Sequence, residues 1–128
     1  MSLSNESNPQ VAVIPLGSLA TDDVQVPAIH FRKAVKILSV KLVNGAAITA
    51  SDTNFVQVGL QHVGGSVIAE IDTRAAHENA LVKNVGKALN VSAVEDDVAA
   101  GSNLEVDYQE GGTIALTSAV LLIEYFNK

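Results

Sequence analysis

Three histidines and two acidic clusters are the side chains here that could do chemistry. His30, His62 and His77 would need to sit at i and i+4 on a helix, or beside a second ligand, to hold a metal. None does, so they read as surface or strand-face histidines. Asp22-Asp23 and Glu95-Asp96-Asp97 concentrate carboxylate in loops, but neither has the D-x-D-x-D-G spacing and late Glu of a calcium loop. Both read as solvated acidic turns. Glycoside hydrolysis wants two carboxylates across an aromatic-lined cleft, and three Phe, two Tyr and no Trp leave few rings to line one. The nucleophile elbow G-x-S-x-G is missing. Gly64-Gly65-Ser66 is followed by neither Lys nor a helix, so it is a hairpin and not a phosphate loop. Without cysteine there is no disulfide, zinc ribbon or thiol nucleophile. No catalytic residue, metal set or cofactor is expected. The enzymatic rival is a hydrolase using the Glu95–Asp97 corner, and loss of a measured activity on Asp96→Asn is what would support it.

Composition narrows the partners. The chain has 128 residues, enough for one core and too few for two. Apolar residues make up 48%, almost all Val, Ala, Leu and Ile, which suits interlocking aliphatic layers between sheets. The formal charge is −6, from eight basic and fourteen acidic residues. Arg32-Lys33, with Lys36 nearby, is the densest basic cluster, too small to grip a phosphate backbone, so no nucleic acid is expected. The longest apolar run, Ala119 to Ile123, falls far short of the ~20 residues of a membrane helix. Met1 to Gln10 has no signal-peptide core, so neither membrane nor export is expected.

The elements that must position these groups are strands. Val35 to Val43 (VKILSVKLV) is rich in branched residues, which crowd a helical turn, and Asn44-Gly45 ends it with a turn. By strict alternation Val35, Ile37, Ser39, Lys41 and Val43 share one face, and Lys36, Leu38, Val40 and Leu42 the other. Before it, Met1–Gln10 is polar and reads as a mobile arm. Val11–Leu16 is a first strand, with Pro15 suited to an end or edge. Val24–Phe31 alternates Val24, Val26, Ala28 and His30 against Gln25, Pro27, Ile29 and Phe31, and Pro27 makes it an edge or bulged strand. In the loop Asn44–Asn54, Ser51, Asp52 and Asn54 can bond their own backbone. Phe55–His62 shows one wet and one dry face, and Gly64-Gly65 returns the chain into Ser66–Ile71.

Thr73–Asn84 is open to two readings: a short helix capped by Thr73 and carrying Ala76, Ala80 and Leu81, or a loop entering a strand at Val85–Val91. Glu95–Gly101 is a corner. In Asn103–Gln109, Leu104, Val106 and Tyr108 point inward. Thr117–Phe126 is the most apolar strand; bare, it would aggregate, so it must lie inside a sheet or under another subunit. About eight strands with frequent turns predict an all-β, antiparallel β-sandwich of jelly-roll or Greek-key type, residues 11–128, behind the arm at 1–10.

Four stretches carry a family likeness: VPAIHFRKAVKILSVKLVNGAAI (Val26–Ile48), SDTNFVQVGLQ (Ser51–Gln61), DVAAGSNLEV (Asp97–Val106) and LLIEY (Leu121–Tyr125). In this order the chain resembles small tailed-bacteriophage virion proteins, the β-sandwich domains that decorate or cement capsids or form head fibres. It departs from their pattern at Phe55, where Tyr is usual, and at Ser102-Asn103, where Asp is commoner. The resemblance implies a non-enzymatic structural protein on the outer surface of a virion, made in the host cytoplasm without a signal peptide. It implies a homo-oligomer, with a trimer favoured, and the major capsid protein as partner. Binding through the arm and final strand would make Pro9, Val11, Val120, Leu122, Tyr125 and Phe126 the contact residues. The alternative is a fibre or tail-associated module recognising a host-surface ligand.

Overall fold

Bulges decide which residues of this chain reach the core. The computed structural model describes residues 9–77 and 79–128. It contains ten strands: β1 (Gln10–Gly17), β2 (Val24–Phe31), β3 (Val35–Val43), β4 (Phe55–His62), β5 (Val67–Asp72), β6 (Lys87–Ala88), β7 (Asn90–Val91), β8 (Asp97–Val98), β9 (Ser102–Gly111) and β10 (Ala119–Asn127). In β3, Ser39 pairs with Glu124 and Ile37 with Tyr125, so Leu38 is extra. That single residue re-phases the strand. Val35, Ile37, Val40 and Leu42 all become buried, and Lys41 faces solvent. The uninterrupted alternation expected from the sequence is corrected here, because one unpaired residue reverses the side of everything after it.

The same device recurs in β2, where the register slips between Pro27 and Ile29. Val26 and Ile29 then pack toward the core with Phe31. His30 is turned out, not set beside Val26 as strict alternation placed it. β4 keeps the expected alternation, with Val56, Val58 and Leu60 fully buried.

The strands form two antiparallel sheets. Sheet A has the order β1-β10-β3, with β6 and β8 both pairing along β3; sheet B has the order β2-β9-β4-β5-β7. The pairings nest. Gln10 faces Tyr125, Val24 faces Tyr108, Val35 faces Val98 and Gln57 faces Asp72, each pair inside the last. The chain is thus one long hairpin with its tip at Gly64-Gly65, folded over so that successive strands cross between sheets. That is a jelly roll. The tip is closed by His62 N–H donating to the Ser66 carbonyl at 2.9 Å, and both glycines have positive φ, which non-glycine residues rarely adopt. The last strand, β10, lies between β1 and β3, so its backbone is paired on both sides.

The described residues of 73–84 form no α-helix. One 3₁₀ turn at Ala75–His77 is followed by Leu81, which pairs with Ile48 as an isolated bridge. Thr73 does not cap that turn. It is buried at the end of β5, with its hydroxyl accepting from Val56 N–H at 2.9 Å. The strand expected over Val85–Val91 is split into β6 on sheet A and β7 on sheet B. Of the expected arm, residues 1–8 lie outside the described residues, and Gln10 already belongs to β1.

Candidate interaction surfaces

The groups singled out for chemistry are held in separate structural roles. His30 Nδ1 lies 2.8 Å from Asn103 Oδ1 on the outside of sheet B. His62 Nε2 is 3.9 Å from Glu95, and His77 Nε2 is 3.7 Å from Asp72. Among the described residues no three acidic or histidine side chains gather as a metal cage. Asp22 accepts from Glu110 N–H at 2.8 Å, bracing β9. The Glu95–Asp97 corner is less solvated than expected. Asp96 is largely buried and ion-paired to Lys36 at 2.9 Å, and Asp97 pairs with Lys128 at 2.9 Å. The hydrogen bond from Lys128 lowers the Asp97 carboxyl, and that to Asp96 raises Lys36. These carboxylates tie β3 and the end of the chain to the corner.

A second ion pair shapes the far end of β5. Burial would raise the Asp72 carboxyl, but hydrogen bonds from the Arg74 side chain and backbone outweigh it and hold it below the usual range. Arg74 also lies over the Phe55 ring, 4.9 Å from its centroid. Tyr108 is fully buried; its hydroxyl donates to Glu110 at 2.9 Å, and burial with that neighbour pushes its pKa well up.

What the fold does build is two unlike outer faces. On sheet B the outward side chains of β2, β4 and β9 form an amide–carboxylate ladder. Gln25 donates to Asp107 and Gln61 to Glu105, each at 2.6 Å, with Gln109 at 3.3 Å from Asp107. This face is largely acidic, with Pro27 and Val67 exposed beside the ladder. On sheet A the register sets Val11 and Val13 of β1 beside Glu124 and Leu122 of β10, and Pro15 beside Val120. Val120 in turn faces Val43 of β3, and Leu122 faces Lys41. Val11 and Val13 are 58% and 59% exposed. Leu38, expelled by the bulge, is also exposed. A shallow depression of about 160 Å³ opens between Val11, Ser39, Lys41, Leu122 and Glu124.

The six contact residues expected from the sequence divide. Val11, Val120, Leu122 and Phe126 alternate onto this outer face, while Pro9 lies exposed just ahead of β1. Tyr125 does not join them: it meets Phe31 edge-to-face at 4.9 Å and packs against the core. Val13, Val43 and Leu38 are additions. Val13 was legible from its alternation with Val11; Leu38 had no signal, since only the pairing reveals a bulge. At the β2–β3 end an open cleft of about 620 Å³ is lined by Ile29, His30, Phe31, Arg32, Lys33, Tyr125 and Asn127.

No family model matches the sequence, and no curated protein does. Among solved structures the fold is similar to a chain of the cyanophage Pam1 capsid asymmetric unit, with a TM-score of 0.61 at 8% identity over 94% of this chain and 86% of that one. It is more distantly similar to the VP2 subviral particle of infectious bursal disease virus (TM-score 0.40, 13% identity), covering 95% of this chain but 34% of that one. An arabinose-bound α-L-arabinofuranosidase aligns at a TM-score of 0.31, with 22% of it covered. At such identities the likeness speaks for the sandwich; function has to be argued from surfaces.

Proposed function

We propose that this chain is a non-enzymatic structural component of a virion: a capsid decoration (cement) protein that sits on the outer capsid surface as a homo-oligomer. The observation that carries this reading is the contrast between its two sheets. Sheet B turns a hydrogen-bonded acidic ladder to water, while sheet A leaves Val11, Val13, Val120 and Leu122 in one apolar strip around a single Lys–Glu flank. Contiguous apolar surface of this kind marks a protein contact. The strip suits the major capsid protein or a neighbouring subunit, and the acidic sheet suits an exterior away from packaged nucleic acid.

Two further points support it. The chain resembling it in the cyanophage capsid unit is of similar length, since most of each is covered by the other. The phage-like stretches in the sequence favour a trimer. Mass spectrometry and cryo-microscopy of purified parent particles test the proposal. The expected result is this chain in many symmetric copies, sheet A toward the shell; its absence from the particles would overturn it.

The cleft at the β2–β3 end favours a second reading, a module for a host-surface ligand. Arg32, Lys33 and His30 would there meet an anionic group. Reproducible binding of acidic glycans on an array, lost in Arg32→Ala, would promote it.

A further inference from the structure

We infer that β1 is a docking edge for a second copy of this chain, the two β1 strands pairing antiparallel about a two-fold axis at Ala12. This goes beyond the virion reading and holds whatever particle the chain serves. Among the described residues β1 is an edge strand, paired to β10 on one side alone. Its eight residues, Gln10 to Gly17, include no charge. Proteins usually guard such an edge with Lys, Pro, a bulge or a short strand, because its unpaired N–H and C=O groups template another strand. Here the guards, Pro15 and the register slip between Pro15 and Gly17, sit at one end. Among the described residues nothing pairs with the free side of Gln10 to Ile14.

The occupant of a bare edge must be an extended strand, since its backbone groups repeat at strand spacing. Among the described residues a second copy has one strand to offer. β2, the other long edge, carries Pro27 and a bulge at its middle. β6, β7 and β8, which flank the remaining edges, are two residues each. Only β1 matches β1.

Register follows from side-chain period. Centring the pair on Ala12 uses all five open residues, setting Val11 opposite Val13 of the second copy and Gln10 opposite its Ile14. Odd-numbered residues then stay on the outer face of both copies. Two exposed valine pairs become cross-strand neighbours, and the apolar strips of two sheets join into one. The net charge of −6 does not oppose this locally, because the strand brings no charged group to the seam. The contact is isologous and closes at two copies, so it is compatible with a three-fold contact elsewhere on the sandwich.

The absence of native cysteine makes the test direct. In the double variant Val11→Cys/Val13→Cys, opposed residues lie about 4.5–5.5 Å apart between Cα atoms, within reach of a disulfide. Mild oxidation of the full chain is expected to give covalent dimers. Each single variant, lacking an opposed cysteine, and Val94→Cys, on an exposed loop, set the rate of chance collision. A double variant that cross-links no faster than these would overturn the proposal. In light scattering the unmodified chain is expected to dimerise with rising concentration, and Val13→Lys, which guards the edge, to weaken that about ten-fold or more while circular dichroism is unchanged. Dimerisation indifferent to Val13→Lys would equally overturn it.

Discussion

Thr73 and Asn44 show how single polar residues hold this sandwich shut. Thr73 is wholly buried, and its hydroxyl accepts the Val56 N–H that would otherwise face apolar surroundings. Thr73→Val keeps the shape and orphans that donor, so urea denaturation should show a loss of about 1–3 kcal/mol. Asn44 is as deeply buried. Its amide donates to the Ala46 carbonyl and accepts from Thr117 N–H, each at 2.8 Å, tying the β3 exit to the β10 entry. Asp72 and Arg74 add a pH dependence. A carboxyl held below its usual value stabilises the fold while ionised, so the contribution is complete above about pH 4 and lost as pH falls through the depressed value. Stability measured by urea midpoints should therefore drop as pH falls below about 4, and drop less steeply in Arg74→Ala.

At the scale of the element, β3 is where local pattern and tertiary pairing part company. Its bulge at Leu38 puts Val35, Ile37, Val40 and Leu42 on one side. Deleting Leu38 should leave these four phased inward, and the protein should fold with near-parental stability. Deleting Lys41 instead turns Leu42 or Val40 outward, at a cost of about 1.5–3 kcal/mol for each side chain withdrawn from the core. Comparing the two deletions by thermal unfolding separates the bulge from the strand. The turn after β9 is similarly constrained. Gly112 has φ of +75°, and a Cβ there would collide with the Thr53 carbonyl oxygen. Gly112→Ala should destabilise by more than about 1 kcal/mol, because neither the left-handed backbone nor the neighbouring main chain can yield cheaply.

At the scale of the whole molecule, what matters is that two sheets with similar cores have different exteriors. Val120 and Leu122 of β10 are flanked by β1 and β3, so their outward sides form the middle of a strip that the described residues do not cover. Leu122→Asn, at a half-buried position, should cost the monomer about 1 kcal/mol, yet sharply reduce retention on the parent particle in co-sedimentation. Glu105→Gln, on the opposite sheet, should leave retention unchanged. Equal effects from both would detach the strip from the proposed role.

Much of this was determined by the residues in order. Aliphatic alternation and turn-forming pairs specify an aliphatic sandwich, because burial and turn chemistry are local demands that each short stretch answers by itself. The hairpin tip at Gly64-Gly65 and the inward Leu104, Val106 and Tyr108 belong to that part. The tertiary structure alone decided the phase of β2 and β3, the splitting of 85–98 between two sheets, the inward turn of Tyr125 and the assembly of Val11, Val13, Val120 and Leu122 into one strip. The physical reason is common to all four. Whether a strand bulges, which edge it joins and what stands beside it depend on partners far away in the chain, and a period of two carries no memory of an unpaired residue.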